Sequence, residues 1–266
     1  MIGERVTVGE QRLLLCRTAG GSGRHPLVLL HGFAGTPASW AGVIEHLPGE
    51  SLIAVPALPG HDRRADDVPA DFEAVLARLD GALVQLHPGP WRLGGYSMGA
   101  RVALGLLVQR PSRFAIATLI GLNPGLSSEN ERRERAVWEH GWARVLREEG
   151  MDGFLHKWEA QPLFASQRQL PEAQRTALRA VRRSHDPEGL ARALEVLGLA
   201  AMPNYWPALG EIKVPVRLVV GESDAKFRFL ADQAVGRLAN ARLHIVPGVG
   251  HNVPLEAPAA TAALLA

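Results

Sequence analysis

Three residues of this 266-residue chain could together carry out nucleophilic or proton-transfer chemistry: Ser97, Asp224 and His251. Ser97 stands in Gly94-Gly95-Tyr96-Ser97-Met98-Gly99-Ala100-Arg101, where Gly95-x-Ser97-x-Gly99 has the glycine spacing of a nucleophile elbow. A serine on a sharp strand-to-helix turn has a strained backbone and needs small neighbours on both sides. The turn holds the hydroxyl clear of the sheet, and the helix N-terminus behind it favours developing negative charge. A serine hydroxyl is a poor nucleophile or base until an imidazole takes its proton, and the imidazole must itself be oriented. Gly221-Glu222-Ser223-Asp224 supplies a carboxylate after a late strand, and Pro247-Gly248-Val249-Gly250-His251-Asn252 an imidazole after the last one. The order serine, acid, histidine is the one expected behind such an elbow. Taken singly, Asp224 reads as a turn or helix cap and His251 as a loop histidine, and Glu222 is the alternative acid. The backbone N–H groups of Met98 and Phe33, the latter in His31-Gly32-Phe33, are the expected oxyanion donors. His31 and His61 read as structural histidines, and no histidine–carboxylate cluster has metal-ligand spacing, so no metal is expected.

These groups need a scaffold with several strand ends at one edge. Pro26-Leu27-Val28-Leu29-Leu30, Leu52-Ile53-Ala54-Val55, Trp91-Arg92-Leu93, Ala115 to Gly121, Val216 to Gly221 and Arg242 to Val246 read as strands buried on both faces. The stretch through Cys16 reads as an antiparallel strand or hairpin leading into a Gly20-Gly21-Ser22-Gly23 turn. Helices are expected around Trp40, Val43, Ile44 and Leu47, from Asp71 to Leu86, and after the elbow. Strands alternating with helices give an α/β fold, a mostly parallel sheet covered on both faces. Between about Ser127 and Leu209 strand signals stop. Ser128-x-x-Glu131 has the form of a capping box, Val137, Trp138, Trp142, Val145 and Leu146 form an apolar face, and Gly150 is a stop. A helical block inserted there would lie over the carboxyl ends of the strands, where open α/β sheets place ligands. The expected division is therefore a core of 1–126 and 210–266 and a helical lid of 127–209.

Composition narrows the partners. With 29 Lys and Arg against 27 Asp and Glu the formal net charge is +2, too near neutral to indicate nucleic acid or a membrane surface. Hydrophobic residues make up 47%, ample for a core. The one cysteine, Cys16, sits in an apolar run and reads as a core thiol. The N-terminus lacks the plan of a signal peptide and no run is long enough to span a membrane, so a cytoplasmic protein is expected. The sequence does not settle its oligomeric state, for which a monomer is the expectation.

The chain resembles the α/β-hydrolase superfamily along its whole length. Several stretches resemble more narrowly the 2-succinyl-6-hydroxy-2,4-cyclohexadiene-1-carboxylate synthase family of the menaquinone pathway. They are the elbow through Arg101, Asn123-Pro124-Gly125-Leu126 with Glu131 to Arg135, Trp158-Glu159-Ala160-Gln161-Pro162-Leu163-Phe164-Ala165-Ser166, and Gly221 to Phe227. Ala100 stands where the family commonly has a second glycine, and Asn123 where it can have a histidine. The resemblance implies a lyase that eliminates pyruvate from an enolpyruvyl-bearing cyclohexene dicarboxylate, without a cofactor, the serine–histidine pair abstracting a proton. It also implies that Arg135 and Arg182 are lid arginines holding a carboxylate-bearing small molecule. Arg101 lies one helical turn past Ser97 and can face the same cavity. Guanidinium forks bind carboxylates bidentately. Arg132, Arg133, Arg179 and Arg183 could take the same roles, and Tyr96, Trp158 and Phe164 read as pocket walls or as lid core. The rivals are a serine hydrolase of the same fold and a ligand receptor with a vestigial triad.

Overall fold

In the computed structural model, which describes residues 2–17, 25–49, 52–61 and 65–266, the apolar runs become strands of one sheet. The expected turn at Gly20-Gly21-Ser22-Gly23 lies outside the described residues. The hairpin of β1 (Ile2–Val8) and β2 (Gln11–Arg17) is antiparallel. Next come β3 (Leu27–Leu30), β4 (Ile53–Pro56), β5 (Trp91–Tyr96), β6 (Phe114–Ile120), β7 (Val216–Gly221) and β8 (Ala241–Val246). The spatial order is β1-β2-β4-β3-β5-β6-β7-β8. Only the two pairings of β2 are antiparallel.

Burial on both faces explains the continuous apolar runs. In β3, Leu27 and Leu29 pack with Trp40, Val43 and Leu265 on one face, while Val28 and Leu30 pack with Leu76, Leu79 and Met98 on the other. All four side chains of β3 are fully buried, so cutting one leucine to alanine would cost about 2–5 kcal/mol. The expectation for the last strand needs correction. β8 is an edge strand, and Ile245 is 44% exposed. Its intervening Arg242 and His244 suit a strand with one neighbour.

The helix expected over Trp40 to Leu47 is shorter than its apolar pattern. A 3-10 turn, Pro37–Trp40, leads into α1 (Ala41–Glu45), which ends before Leu47 because Pro48 disfavours helical backbone in the residue before it. Trp40, Val43, Ile44 and Leu47 are nonetheless all buried. The chain continues with α2 (Phe72–Leu86), capped by Asp71 Oδ1 accepting from Ala74 N, and α3 (Met98–Gln109) behind the elbow. Cys16 is a free, buried thiol.

Between β6 and β7 no strand occurs among the described residues. The stretch holds α4 (Glu129–Trp158), a 3-10 helix (Pro162–Gln169), α5 (Glu172–Arg183) and α6 (Pro187–Leu197). Ser128 and Glu131 form the reciprocal capping box, and Gly150, at φ 64°, breaks α4 into two helical pieces. The expected apolar face is wrong at Val137, which is 74% exposed, and at Trp138, which is 37% exposed. The buried stripe runs through Glu139, Ala143 and Leu146, and Val137 lies about 200° around the helix from Glu139. The last helices are α7 (Ala225–Val235), α8 (Val253–Glu256) and α9 (Pro258–Leu265). Among the described residues no helix is long and apolar enough to cross a membrane.

Candidate active site

The carboxyl ends of β5, β7 and β8 meet the helical block at one cavity of about 660 Å³. Ser97 sits between β5 and α3 at φ 53° and ψ −109°, a left-handed conformation that costs a serine of order 1–3 kcal/mol. Packing imposes that turn and explains the motif's glycines. A Cβ on Gly95 would lie 2.5 Å from the Gly99 carbonyl oxygen, and one on Gly99 would lie 2.2 Å from that of Leu30. Only glycine lets the elbow seat this closely on β3.

Ser97, Asp224 and His251 come together although 154 residues separate the first from the last. His251 Nδ1 lies 2.6 Å from Asp224 Oδ2, and His251 Nε2 lies 3.0 Å from Ser97 Oγ. A carboxylate only accepts, so the proton of a neutral imidazole belongs on Nδ1, which donates to Asp224. Nε2 then accepts from the Ser97 hydroxyl, the arrangement of a base ready to take its proton. Asp224 also caps α7, its Oδ1 accepting from Phe227 N at 3.3 Å, so one oxygen serves the helix and the other faces His251. Glu222 instead accepts from Gly248 N at 2.9 Å. The rings of Phe227 and Tyr96 lie 4.4 and 5.4 Å from that of His251.

Phe33 and Met98 line the cavity beside Ser97, and neither backbone N–H is used by another group among the described residues. Two buried histidines brace the Phe33 loop. His31 Nε2 accepts from Leu58 N and His61 Nε2 accepts from Ala34 N. Their Nδ1–H groups therefore donate to the carbonyls of Gly32 and Pro59. Burial holds both imidazoles neutral, His31 down to about 4 and His61 well below its ordinary value.

Arg101, Arg135 and Arg182 all line the cavity, whereas Arg132, Arg133, Arg179 and Arg183 do not. Arg132 is held by the carbonyls of Ala200 and Met202, and Arg183 pairs with Asp152 at the surface. Arg101 is buried with only Met202 Sδ, at 4.0 Å, as a hydrogen-bond partner among the described residues. Burial lowers its guanidinium to about 10, with Glu139 opposing and Arg135 adding to the shift, so it stays charged at neutral pH. Arg135 donates from Nε to Glu139 at 2.8 Å and lies over the Trp138 ring. Arg182 reaches Glu159 and Gln167, each at 3.1 Å, and lies 5.2 Å from the Phe164 ring centroid. Tyr96, Trp158 and Phe164 line the cavity too. Trp158 and Phe164 also belong to the apolar cluster of the helical block, with ring centroids 5.6 Å apart, so wall and core are the same residues.

Two charged residues were missed at the sequence level. Lys226 lines the cavity, and burial, followed by the nearby Arg135, lowers its ammonium. Its position two residues past Asp224, in the first turn of α7, was the available signal. Glu139 is buried and accepts from Arg135, Leu199 N and Ala200 N. Its contacts with residues sixty positions away leave no mark in local sequence. Among the described residues the cavity wall thus holds four cations and one carboxylate, Asp224, already engaged with His251. Among the described residues no group of three or more His, Cys, Asp or Glu side chains could hold a metal ion.

Comparison with known proteins places the whole arrangement in context. Residues 27–264 match the alpha/beta hydrolase family. The chain is 36% identical over 240 residues to the 2-succinyl-6-hydroxy-2,4-cyclohexadiene-1-carboxylate synthase of Salmonella newport (strain SL254), covering 90% of this chain and 92% of that one. It superposes on the solved structure of MenH from S. aureus with a TM-score of 0.90 and 30% identity, covering 95% of this chain and 96% of the other. A thermophilic esterase from Thermogutta terrifontis, solved with malate bound, is similar at a TM-score of 0.80 and 26% identity, covering 100% and 97% of the two chains.

Proposed function

The chain belongs to the alpha/beta hydrolase family and, within it, to the 2-succinyl-6-hydroxy-2,4-cyclohexadiene-1-carboxylate synthases, and from that premise we propose the reaction and the residues that carry it. The protein is a lyase that eliminates pyruvate from 2-succinyl-5-enolpyruvyl-6-hydroxy-3-cyclohexene-1-carboxylate. The product is 2-succinyl-6-hydroxy-2,4-cyclohexadiene-1-carboxylate.

The positions of the double bonds define the chemistry. A 3-ene becomes a 2,4-diene, so the atoms lost are the hydrogen on C2 and the enolpyruvyl oxygen on C5. The C2 hydrogen is α to the succinyl ketone, and its removal spreads negative charge onto the ketone oxygen. The electron pair returns through the ring, forms the C2–C3 and C4–C5 double bonds and breaks the C5–O bond. The departing enolate takes up a proton and becomes pyruvate. In this reading the Ser97–His251 pair accepts the C2 proton and Asp224 stabilises the imidazolium that results. Phe33 N–H and Met98 N–H donate to the ketone oxygen as its charge develops. Arg101, Arg135, Arg182 and Lys226 hold the carboxylates, and Tyr96, Trp158 and Phe164 wall the ring. Residues 127–209 act as a lid over a core of 1–126 and 210–266. No cofactor is required, and the expected location is the cytoplasm.

The observation that carries this reading is the charge of the cavity: among the described residues, four cations line it around a Ser–His pair, and its one carboxylate is already committed. An esterase of apolar esters has no use for that arrangement. A second reading, a serine hydrolase of a small acidic substrate, is favoured by the hydrogen-bonded triad and the unused N–H groups. Pyruvate release from the enolpyruvyl substrate, followed in wild type, Ser97→Ala and Arg101→Ala, separates the two. Rapid release lost in both variants supports the lyase. No release, together with a burst of acyl-enzyme from an activated ester, would move the function to the hydrolase.

A further inference from the structure

Within the Trp158 to Ser166 stretch, Ser166 has no part in the proposed reaction. Ser166, in the 3-10 helix Pro162–Gln169, donates its hydroxyl to Glu256 Oε1 at 3.1 Å. Glu256 ends α8, five residues beyond His251. The same carboxylate accepts from Gly250 N at 2.7 Å on Oε2 and from Asn252 N at 3.2 Å on Oε1. Those residues flank His251 on either side. Three donors thus converge on one carboxylate, which has no cation within 4 Å among the described residues. The junction is close: a Cβ on Gly250 would lie 2.1 Å from Ser166 Oγ, so only glycine admits the serine.

We propose that Glu256 is a positioning residue for His251, and that Ser166 ties this positioning to the seating of the 127–209 helices. The inference rests on the reading of His251 as the proton acceptor. His251 follows an edge strand and must still meet Ser97 Oγ and the C2 hydrogen within hydrogen-bonding reach. Anchoring the peptide groups before and after it fixes the imidazole where the strand alone leaves it free to shift, and a misplacement of about 1 Å can lower the rate about 100-fold. Ser166 is two residues past Phe164, whose ring carries the guanidinium of Arg182. A substrate carboxylate that engages Arg182 therefore acts on the same short helix that holds Glu256.

Steady-state pyruvate release by Ser166→Ala, Glu256→Gln, the double variant and His251→Ala tests this. In Glu256→Gln the carboxamide must point its NH2 group at an N–H or O–H donor, so kcat falls about 30- to 100-fold. Ser166→Ala lowers kcat about 3- to 10-fold with KM changed less than about twofold and the melting temperature nearly unmoved. The double variant matches Glu256→Gln alone, because Ser166 acts through that carboxylate. Unchanged kcat in Ser166→Ala, a rise confined to KM, or losses that multiply in the double variant would each overturn the proposal. Should Glu256→Gln not fold, Ser166→Ala, which removes a single hydroxyl, still decides through its kcat-against-KM split. Activity retained by His251→Ala would instead overturn the assignment of the base, and the proposal with it.

Discussion

At the scale of single residues, the proposed reaction separates groups that would touch the reacting atoms from groups that would hold the substrate's carboxylates. Ser97 and His251 are hydrogen-bonded to each other and act as a unit. Ser97→Ala is therefore expected to lower kcat by several orders of magnitude. Pyruvate release at saturating substrate measures it, and activity within about tenfold of wild type would exclude the Ser–His mechanism. Arg101 is buried without an ion pair among the described residues, so it holds a charge that a carboxylate can neutralise without displacing a protein partner. Arg101→Lys keeps the charge and loses the fork, and a fall of about 10- to 100-fold in kcat/KM is expected. Lys226 is exposed where Arg101 is buried. Lys226→Ala is expected to raise KM about 3- to 10-fold with kcat little changed, an effect that fades at high salt. A KM insensitive to this substitution would remove Lys226 from the binding groups.

At the scale of elements, Ser97, Asp224 and His251 ride on strand ends and helix starts, which the chain order sets, while Arg135 and Arg182 ride on the helices α4 and α5 of the inserted block. Capping shows how local the first kind of information is. Ser128 and Glu131 were legible as a box because both partners lie within four residues, and the box forms. Ser128→Ala is expected to lower stability by about 1 kcal/mol. Urea denaturation reads this as a lower midpoint with an unchanged slope, and kcat stays near wild type because the cap lies outside the cavity. The face of α4 was less legible. Apolar spacing marked Val137 as buried, yet the helix turns Glu139 inward, where it accepts from Arg135 and two backbone N–H groups of the segment after α6. A buried carboxylate with distant partners cannot be told from a surface glutamate in the sequence.

At the scale of the whole molecule, the neutral histidines under the Phe33 loop link folding to acidity. In the unfolded chain His31 titrates near 6.5, and in the fold near 4, because burial disfavours its charged form. The unfolded state therefore binds more protons than the folded state between those values. The contribution is complete above pH 6.5 and is lost as pH falls towards about 4. From pH 7 to 5 this site alone accounts for a loss of about 2 kcal/mol, and His61 acts in the same direction. Urea midpoints at the two pH values, in wild type and in His31→Asn, test it. A midpoint that falls equally in both proteins would assign the acid sensitivity to other groups.

The sequence by itself determined the elements and the chemistry they display. Glycine spacing around Ser97 and apolar runs that end in Asp224 and His251 are local patterns, and a parallel sheet brings its strand ends to one edge. Tertiary structure alone decided which of the lid arginines face the cavity, that Lys226 joins them, and that Glu139 and Glu256 stand behind the cavity wall. Those choices depend on how α4, α5, α7, α8 and the 3-10 helix rotate and dock around the strand ends. Such docking is set by packing between residues tens of positions apart, to which spacing along the chain is blind.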